Sequence, residues 1–587
     1  MALLVQKFGG TSVGSVERIK AVAQKIASTK EAGHDLVIVV SAMGHTTDEL
    51  TELSRAISDK PPRRELDMLL ATGEQVSIAL LAIALNEIGV PALSMTGPQV
   101  GIVTESSHGK ARILEIRTER IKAQLAEGKV VVVAGFQGTS LSSGGTAEIT
   151  TLGRGGSDTS AIALATALEA NACEIYTDVS GVLTTDPRKV PNAKLMKEIS
   201  CDEMLELASL GAAVLHPRAV ELARNYGIKL IVRSSLTNEK GTTLTSNHKR
   251  QLGRNGLELG KPVDGLELVD RQAVLALFHL PDKPGIAADL FEILSSGGVN
   301  VDLIIQSTHK GNSNDITFSI SEGDAIKAET LCKDFINNIG GELSIQHDMT
   351  KISIRGAGIM GRPGIAAKLF ETLSRSEINL RLIATSEVKV SCVIDSNFGN
   401  KALRNIGEAF QLNDNQIKTN PIITDKGEPE VRGVAMDSDQ NQLSVCKVPD
   451  KPGTAARLFS ALADSGISVD TIVQSERIHE DGSRDISFTL KKEDRLIADK
   501  ALNSLLAEWK NAELKEGPPI TKISAVGAGM PTTAGTAGKM FRALANTNIN
   551  IEMIATSEIR TSCIVSQKDG INALKAVHDF FKLGEPQ

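Results

Sequence analysis

The 587-residue sequence predicts an α/β chain in two parts, a three-layer α/β/α sandwich on a mainly parallel sheet followed by four small modules of βαββ type. Three observations carry that prediction. Up to about residue 245, short apolar runs that end in small or polar residues alternate with helix-forming stretches, the pattern of a parallel sheet covered on both faces. A glycine-rich turn, Leu152 to Ser160, feeds a run of good helix formers. Beyond residue 265 the text repeats itself.

The first strand is Leu3–Phe8, broken by Gly9-Gly10-Thr11-Ser12 before a helix expected over Val16 to Ala27. Gly9 and Gly14 have phosphate-loop spacing, yet Ser15 stands where that motif needs a Lys, and Lys7 precedes the turn instead. A strand-end Lys before bare backbone amides suits a phosphoryl group. Leu36 to Val40 is the second strand, ending at Ser41-Ala42-Met43-Gly44 and a polar loop with Thr47. Thr72-Gly73-Glu74 is expected to precede an apolar helix over Val76 to Leu85, and further strands are expected at Pro91 to Met95, Gly101 to Val103 and Val130 to Ala134.

Ser140 to Thr146 reads as a loop. The turn after it combines amides exposed to an anion, a cap from Ser157 or Asp158, the positive end of a helix dipole, and Arg154 to fork onto a carboxylate or phosphate. Glu174 to Val179 is another strand, followed by Thr185-Asp186-Pro187-Arg188. Ligands of such sheets collect beyond the carboxyl ends of the strands, where Lys7, Ser41, Gly135 and the Arg154 loop fall. His216, beside Pro217, reads as structural.

Composition narrows the classes. Net charge is -7 with no basic block, which disfavours nucleic acid and anionic membrane as partners. Six cysteines without a CxxC read as free thiols in a reducing compartment. The longest apolar run, Ile78 to Leu85, falls short of a membrane span, and Met1 leads almost directly into a strand, so a soluble cytoplasmic protein is expected.

Lys7 to Ser12, Ser41 to Gly44, Thr72 to Glu74, Gly153 to Asp158, Thr177-Asp178 and Thr185 to Arg188 together resemble the amino acid kinase family, most closely its aspartate kinases. The resemblance implies ATP with Mg2+ as cofactors and L-aspartate as acceptor. It places Lys7, Gly9, Gly10 and Ser41 at the transferring phosphate, with Asp158 organising the lysine, and Ser41, Thr47, Glu74 and Arg154 around aspartate. Ser12, Gly155, Gly156, Ser157, Thr177, Asp178 and Arg188 would face the nucleotide. Ala213 stands where some relatives carry a nucleotide-contacting Lys.

The repeats begin after a polar linker, 246–265. Asp282-Lys283-Pro284-Gly285 recurs as Asp450-Lys451-Pro452-Gly453, an offset of 168, and Ile383 to Glu387 recurs as Ile554 to Glu558, an offset of 171. A two-module unit is therefore duplicated, with boundaries expected at 266–345, 346–425, 435–515 and 516–587 after a first domain of 1–245. Gly356-Ala357-Gly358-Ile359-Met360-Gly361, with Glu377 beyond it, satisfies a dinucleotide fingerprint, but its repeat has Thr532 at the third glycine and no second half follows, so a dinucleotide site is discounted. The modules resemble ACT domains, ferredoxin-like units (βαββαβ type) that bind amino acids where modules pair. That resemblance implies effector positions at Asp282, Gly285, Asn300 and Gln306, at Asp450 and Gln474, and at Asn379, Thr385, Ser386, Asn550, Thr556 and Ser557, with lysine and threonine as feedback inhibitors and a homodimer through the modules. A kinase for another small carboxylate and an amino-acid sensor with an inactive kinase domain are the alternatives.

Overall fold

The computed structural model describes residues 2–141, 147–211, 214–246, 256–258, 260–309, 313–359, 362–422, 427–474, 478–509 and 511–585. Ser142 to Thr146, Ala213, Met360 and Gly361, all singled out above, lie outside the described residues. The chain divides into two compact units. The first comprises Met1–Leu183, Leu195–Ala208 and Ala213–Gly260; the second comprises Thr184–Lys194, Ser209–Ala212 and Lys261–Gln587.

The first unit is built on an eight-stranded sheet whose order is Glu198–Ser200, Thr242–Thr245, Leu230–Ser234, Ala172–Thr177, Leu3–Phe8, Asp35–Val40, Val130–Ala134, Ala92–Met95. Every neighbouring pair is parallel except Leu230–Ser234 with Thr242–Thr245. Unbroken apolar runs such as Val130–Ala134, fully buried, form strands because both sheet faces are covered by helices. Leu3–Phe8 lies between Asp35–Val40, which follows it in the chain, and Ala172–Thr177, which arrives much later. The strand order reverses there, which opens a crevice at the carboxyl end of Leu3–Phe8.

Four local expectations are corrected. Thr72-Gly73-Glu74 does not precede a helix; it sits inside a single one, Arg63–Glu87, whose first half is polar and so hides its period. That helix is long and apolar enough to cross a membrane by length and composition, but it buries Asp67 and Glu74. The helix after the glycine turn, Gly156–Ala167, is capped by Gly155 with no side-chain cap bond, so neither Ser157 nor Asp158 is the cap. Ser140 and Leu141, read as loop, belong to the strand Gln137–Leu141, which pairs with Ala147–Thr151 in a separate four-stranded sheet. The first helix runs to Glu31.

In the second unit each module is a sheet with helices on one face, and the modules pair within one chain. Strand Val301–His309 of the first module lies antiparallel to Met553–Thr556 of the fourth, joining their sheets. Their helices Ile286–Ser296 and Thr536–Asn546 pack side by side, with Phe291 edge-on to Phe541. Helices Ile365–Arg375 and Thr454–Asp464 of the second and third modules repeat that contact through Phe370 and Phe459. The fourth module borrows the edge strand Gly433–Asp437, which precedes the third module in sequence and pairs with Ile520–Val526. Gly265 to Val269 does the same for the second module, against Lys351 to Arg355.

Candidate active site

Lys7 is the penultimate residue of the central strand, and its Nζ lies 2.7 Å from Asp158 Oδ1 in the first turn of Gly156–Ala167. Both side chains are only about a tenth exposed, at 11% and 12%, so each charge depends on the other. The turn that follows fits around them because it is glycine: a Cβ on Gly10 would stand 2.7 Å from the Ala42 carbonyl oxygen. The Gly9 amide, expected to be bare, donates to the Tyr176 carbonyl at 3.2 Å. The amides of Gly10, Thr11, Ser157 and Asp158 have no acceptor among the described residues. Two helix starts thus converge on the Lys7 cation, a cradle for a phosphate. Ser12 Oγ donates to Ser235 Oγ and serves the turn.

Glu74 is joined to this turn through backbone. The Ala42 amide donates to Glu74 Oε1 at 3.1 Å, and the Gly44 amide donates to the Gly10 carbonyl at 3.0 Å. Burial pushes the Glu74 carboxyl up to about 7, against the opposing pull of the Ala42 amide and its own. Its Oε2 is buried with no donor among the described residues, an acceptor ready for an ammonium group. Ser41 follows the second strand and Thr47 lies in the first turn of the helix Thr46–Ile57. Arg154 is exposed at the crest of the glycine turn.

Thr177 Oγ1 donates to Asp178 Oδ1 at 3.0 Å at the end of the neighbouring strand, and Asp178 is exposed. Arg188 belongs to the second unit, where it grips both carboxylate oxygens of Asp186 at 3.0 Å.

Sequence reasoning missed the residues that hold the glycine turn in place. Gly155 has φ 69°, and a Cβ there would stand 2.2 Å from His216 Cβ, so His216 packs against bare backbone. Arg218 donates to the carbonyls of Leu152 at 2.5 Å and Ala111 at 2.6 Å and is paired with Glu258. Asp67 accepts from Thr151 Oγ1, the Thr151 and Gly109 amides and His108 Nδ1. Asp67 lies 84 residues from Thr151, so no local pattern marks the pair.

The expected effector residues of the modules fall into two kinds of place. Asp282 Oδ1 accepts from Asn550 Nδ2 at 2.7 Å, and Gln306 Nε2 donates to the Ile551 carbonyl at 2.7 Å, beside the Gly285 cap of Ile286–Ser296. The same set recurs with Asp450, Asn379 at 3.1 Å, and Gln474 bonded to the Leu380 carbonyl at 3.2 Å. Asn300, Thr556 and Ser557 instead line a larger cavity, about 420 Å³, with Asp302, Lys351 and Glu558. Thr556 Oγ1 accepts from the Ile304 amide, Thr385 Oγ1 donates to the Asp470 carbonyl, and the Ser386 amide donates to the Lys389 carbonyl, so these three brace strand ends.

Comparison with known proteins finds two kinds of family model along the chain. Residues 2–234 match the family model described as amino acid kinase family; residues 274–333 and 442–508 match one ACT domain model, and 352–410 and 523–581 match another. An aspartokinase of Bacillus sp. (strain MGA3) is 49% identical over 422 residues, covering 71% of this chain and 100% of that protein. Aspartokinase 2 of Bacillus subtilis (strain 168) is 47% identical over 413 residues, 70% of this chain and 98% of the other. A crystal structure of aspartate kinase from Synechocystis superposes with a TM-score of 0.87 at 52% identity, covering 100% of this chain and 99% of that one.

Proposed function

We propose, from the premise that this chain belongs to the aspartokinases of the amino acid kinase family, a residue-level account of how it phosphorylates aspartate with ATP and how amino acids restrain it. The acceptor is the side-chain carboxylate of L-aspartate and the product is 4-phospho-L-aspartate with ADP. A carboxylate with a pKa of about 4 is already ionised at neutral pH, so no general base is required. The chemistry needs in-line placement and neutralisation of phosphate charge.

The observation that carries this account is the Lys7–Asp158 pair beside the open amides of Gly10, Thr11, Ser157 and Asp158. Lys7 neutralises the transferring phosphoryl oxygens, Asp158 fixes where the ammonium points, and Gly9, Gly10, Gly155 and Gly156 admit the phosphates to close backbone approach. Glu74 takes the substrate ammonium on its open Oε2, Arg154 takes the α-carboxylate, and Ser41 and Thr47 border the acceptor. Thr177 and Asp178 meet the nucleotide. Magnesium carried with ATP would add neutralisation of phosphate charge when bound.

The modules act as the feedback sensor of a biosynthetic step, with lysine and threonine as inhibitors. The repeated Asp, Gln and Asn sets support this reading, since a free amino acid offers an ammonium and a carboxylate for such groups. We assign the enzyme to the cytoplasm, as a homodimer through its modules. ADP release with MgATP and L-aspartate, against L-glutamate and N-acetyl-L-glutamate, each with and without lysine plus threonine, tests the account. Aspartate-dependent release suppressed by the two amino acids is the expected result; inhibitor-insensitive release would remove the regulatory half.

A further inference from the structure

The two sets of paired-module residues are near copies in backbone and opposite in charge. In the first and fourth modules Asp282 accepts from Asn314 Nδ2 at 2.8 Å and from Asn550 Nδ2 at 2.7 Å. In the third and second modules Asp450 accepts from Asn379 Nδ2, and its other oxygen is bound by Arg484 Nε at 2.7 Å. Strand register makes Asn314 and Arg484 counterparts: Asn314 faces Leu280 across its hairpin, and Arg484 faces Val448. The residue two beyond the shared asparagine also differs, being Glu552 in one pair and Arg381 in the other. Their backbones are equivalent, since the Glu552 amide donates to Ile564 and the Arg381 amide to Val393.

These exchanges change what each site can hold. Asp450 is already neutralised by an arginine that is 1% exposed. Asp282 has only amide partners among the described residues, and its charge, after burial itself, pushes the nearby Glu552 carboxyl upward. Asn314 is 5% exposed, and its Oδ1 has no donor among the described residues. A buried carboxylate with a second acidic group and a vacant amide oxygen favours an added positive charge. A site whose carboxylate is matched by a buried guanidinium repels one.

We infer that the two paired-module sites sort effectors by side-chain charge: the site of the first and fourth modules takes an amino acid with a cationic side chain, and that of the second and third takes a neutral one. The inference rests on the modules being amino-acid sensors, and it names Asn314 and Arg484 as the residues that set the preference.

Calorimetric titration of the full chain with L-lysine, its neutral isostere L-norleucine, and L-threonine tests it. The wild type is expected to bind lysine at least about tenfold more tightly than norleucine. Asn314→Arg should weaken lysine by about thirtyfold or more and leave threonine within about threefold. Asn314→Asp, a smaller change that keeps the pocket shape, should retain or tighten lysine, and Arg484→Asn should leave lysine unchanged while altering threonine. Equal affinity for lysine and norleucine, or lysine binding that responds to Arg484 and not to Asn314, would overturn the sorting with the sensor role intact. Absence of binding by all three amino acids to the wild type would overturn the sensor role and the sorting together.

Discussion

Arg218 and Glu258 form a clamp on the turn that carries Arg154. Glu258 takes Arg218 Nη2 at 2.7 Å and the Ile113 amide at 2.6 Å, while the guanidinium reaches the Leu152 carbonyl, one residue before Gly153. Glu258 lies in the stretch read from composition as linker, yet its backbone is tied to Ile113 and Leu257 to Leu114. Removing one partner of a buried pair costs about 3–5 kcal/mol, and a shift of the turn by about 1 Å can lower rate about a hundredfold. Glu258→Gln should therefore reduce kcat/KM for aspartate by about ten- to a hundredfold with a lower Tm. A kcat/KM equal to wild type, with Tm lowered, would limit the clamp to stability.

Lys7 should prove indispensable to turnover. With its cation gone, Asp158 is left buried and unpaired beside the phosphates, so Lys7→Ala both removes an attraction and adds a repulsion. Loss of a preorganised charge at a transferring group costs about a hundred- to a thousandfold in kcat, and Lys7→Ala should reach the upper figure. Lysine and threonine binding, followed by calorimetry, should persist. Wild-type turnover in this variant would remove Lys7 from the phosphate site.

Glu74 predicts a pH dependence. Its folded carboxyl sits near 7, raised by burial from the ordinary value of 4.5. The ionised form is needed for the substrate ammonium, so kcat/KM for aspartate should fall as pH drops below about 7. Glu74→Gln should flatten that limb and raise KM. Stability moves the other way. A folded pKa above the unfolded one means that the folded state holds the proton longer, so stability falls between about pH 4.5 and 7, by up to about 3 kcal/mol. Glu74→Gln, which stays neutral, should have the higher Tm at pH 8 and nearly equal Tm at pH 4. Parallel Tm profiles across that range would show that Glu74 does not titrate as its burial implies.

The sheet of the first unit was legible because its strands, such as Val130–Ala134, are buried on both faces and read as unbroken apolar runs. Lys7, Gly10 and Asp158 were legible because a lysine before a glycine turn and an acid in the first turn of a helix are local features. Thr72 to Glu74 was misplaced because a helix with a solvated first half loses its period there. Arg218 and Asp67 were illegible for another reason: each acts through backbone groups far away in sequence, 66 residues to Leu152 and 42 to Gly109. The pairing of first with fourth module was equally hidden, since near-identical repeats present near-identical edges.

The Thr184–His578 contact yields the last prediction. Thr184 Oγ1 lies 3.0 Å from His578 Nε2, the Val434 amide donates to the Thr184 carbonyl at 2.8 Å, and Val190 is buried in the core shared by the first and fourth modules. Burial lowers the His578 pKa, so the ring is neutral at pH 7 and the contact is an ordinary hydrogen bond. Thr184–Lys194, which carries Asp186 and Arg188, is thereby anchored on the last helix, Gly570–Phe580. If this anchorage carries the inhibitory signal, loosening it should reduce coupling without reducing effector affinity, because coupling is a free-energy difference separate from binding itself. His578→Leu should speed amide exchange across 184–194 and raise the inhibitor concentration for half-inhibition by about five- to tenfold, with calorimetric affinities unchanged. Faster exchange with undiminished inhibition would show that the segment is held there for stability and that the signal travels by another route.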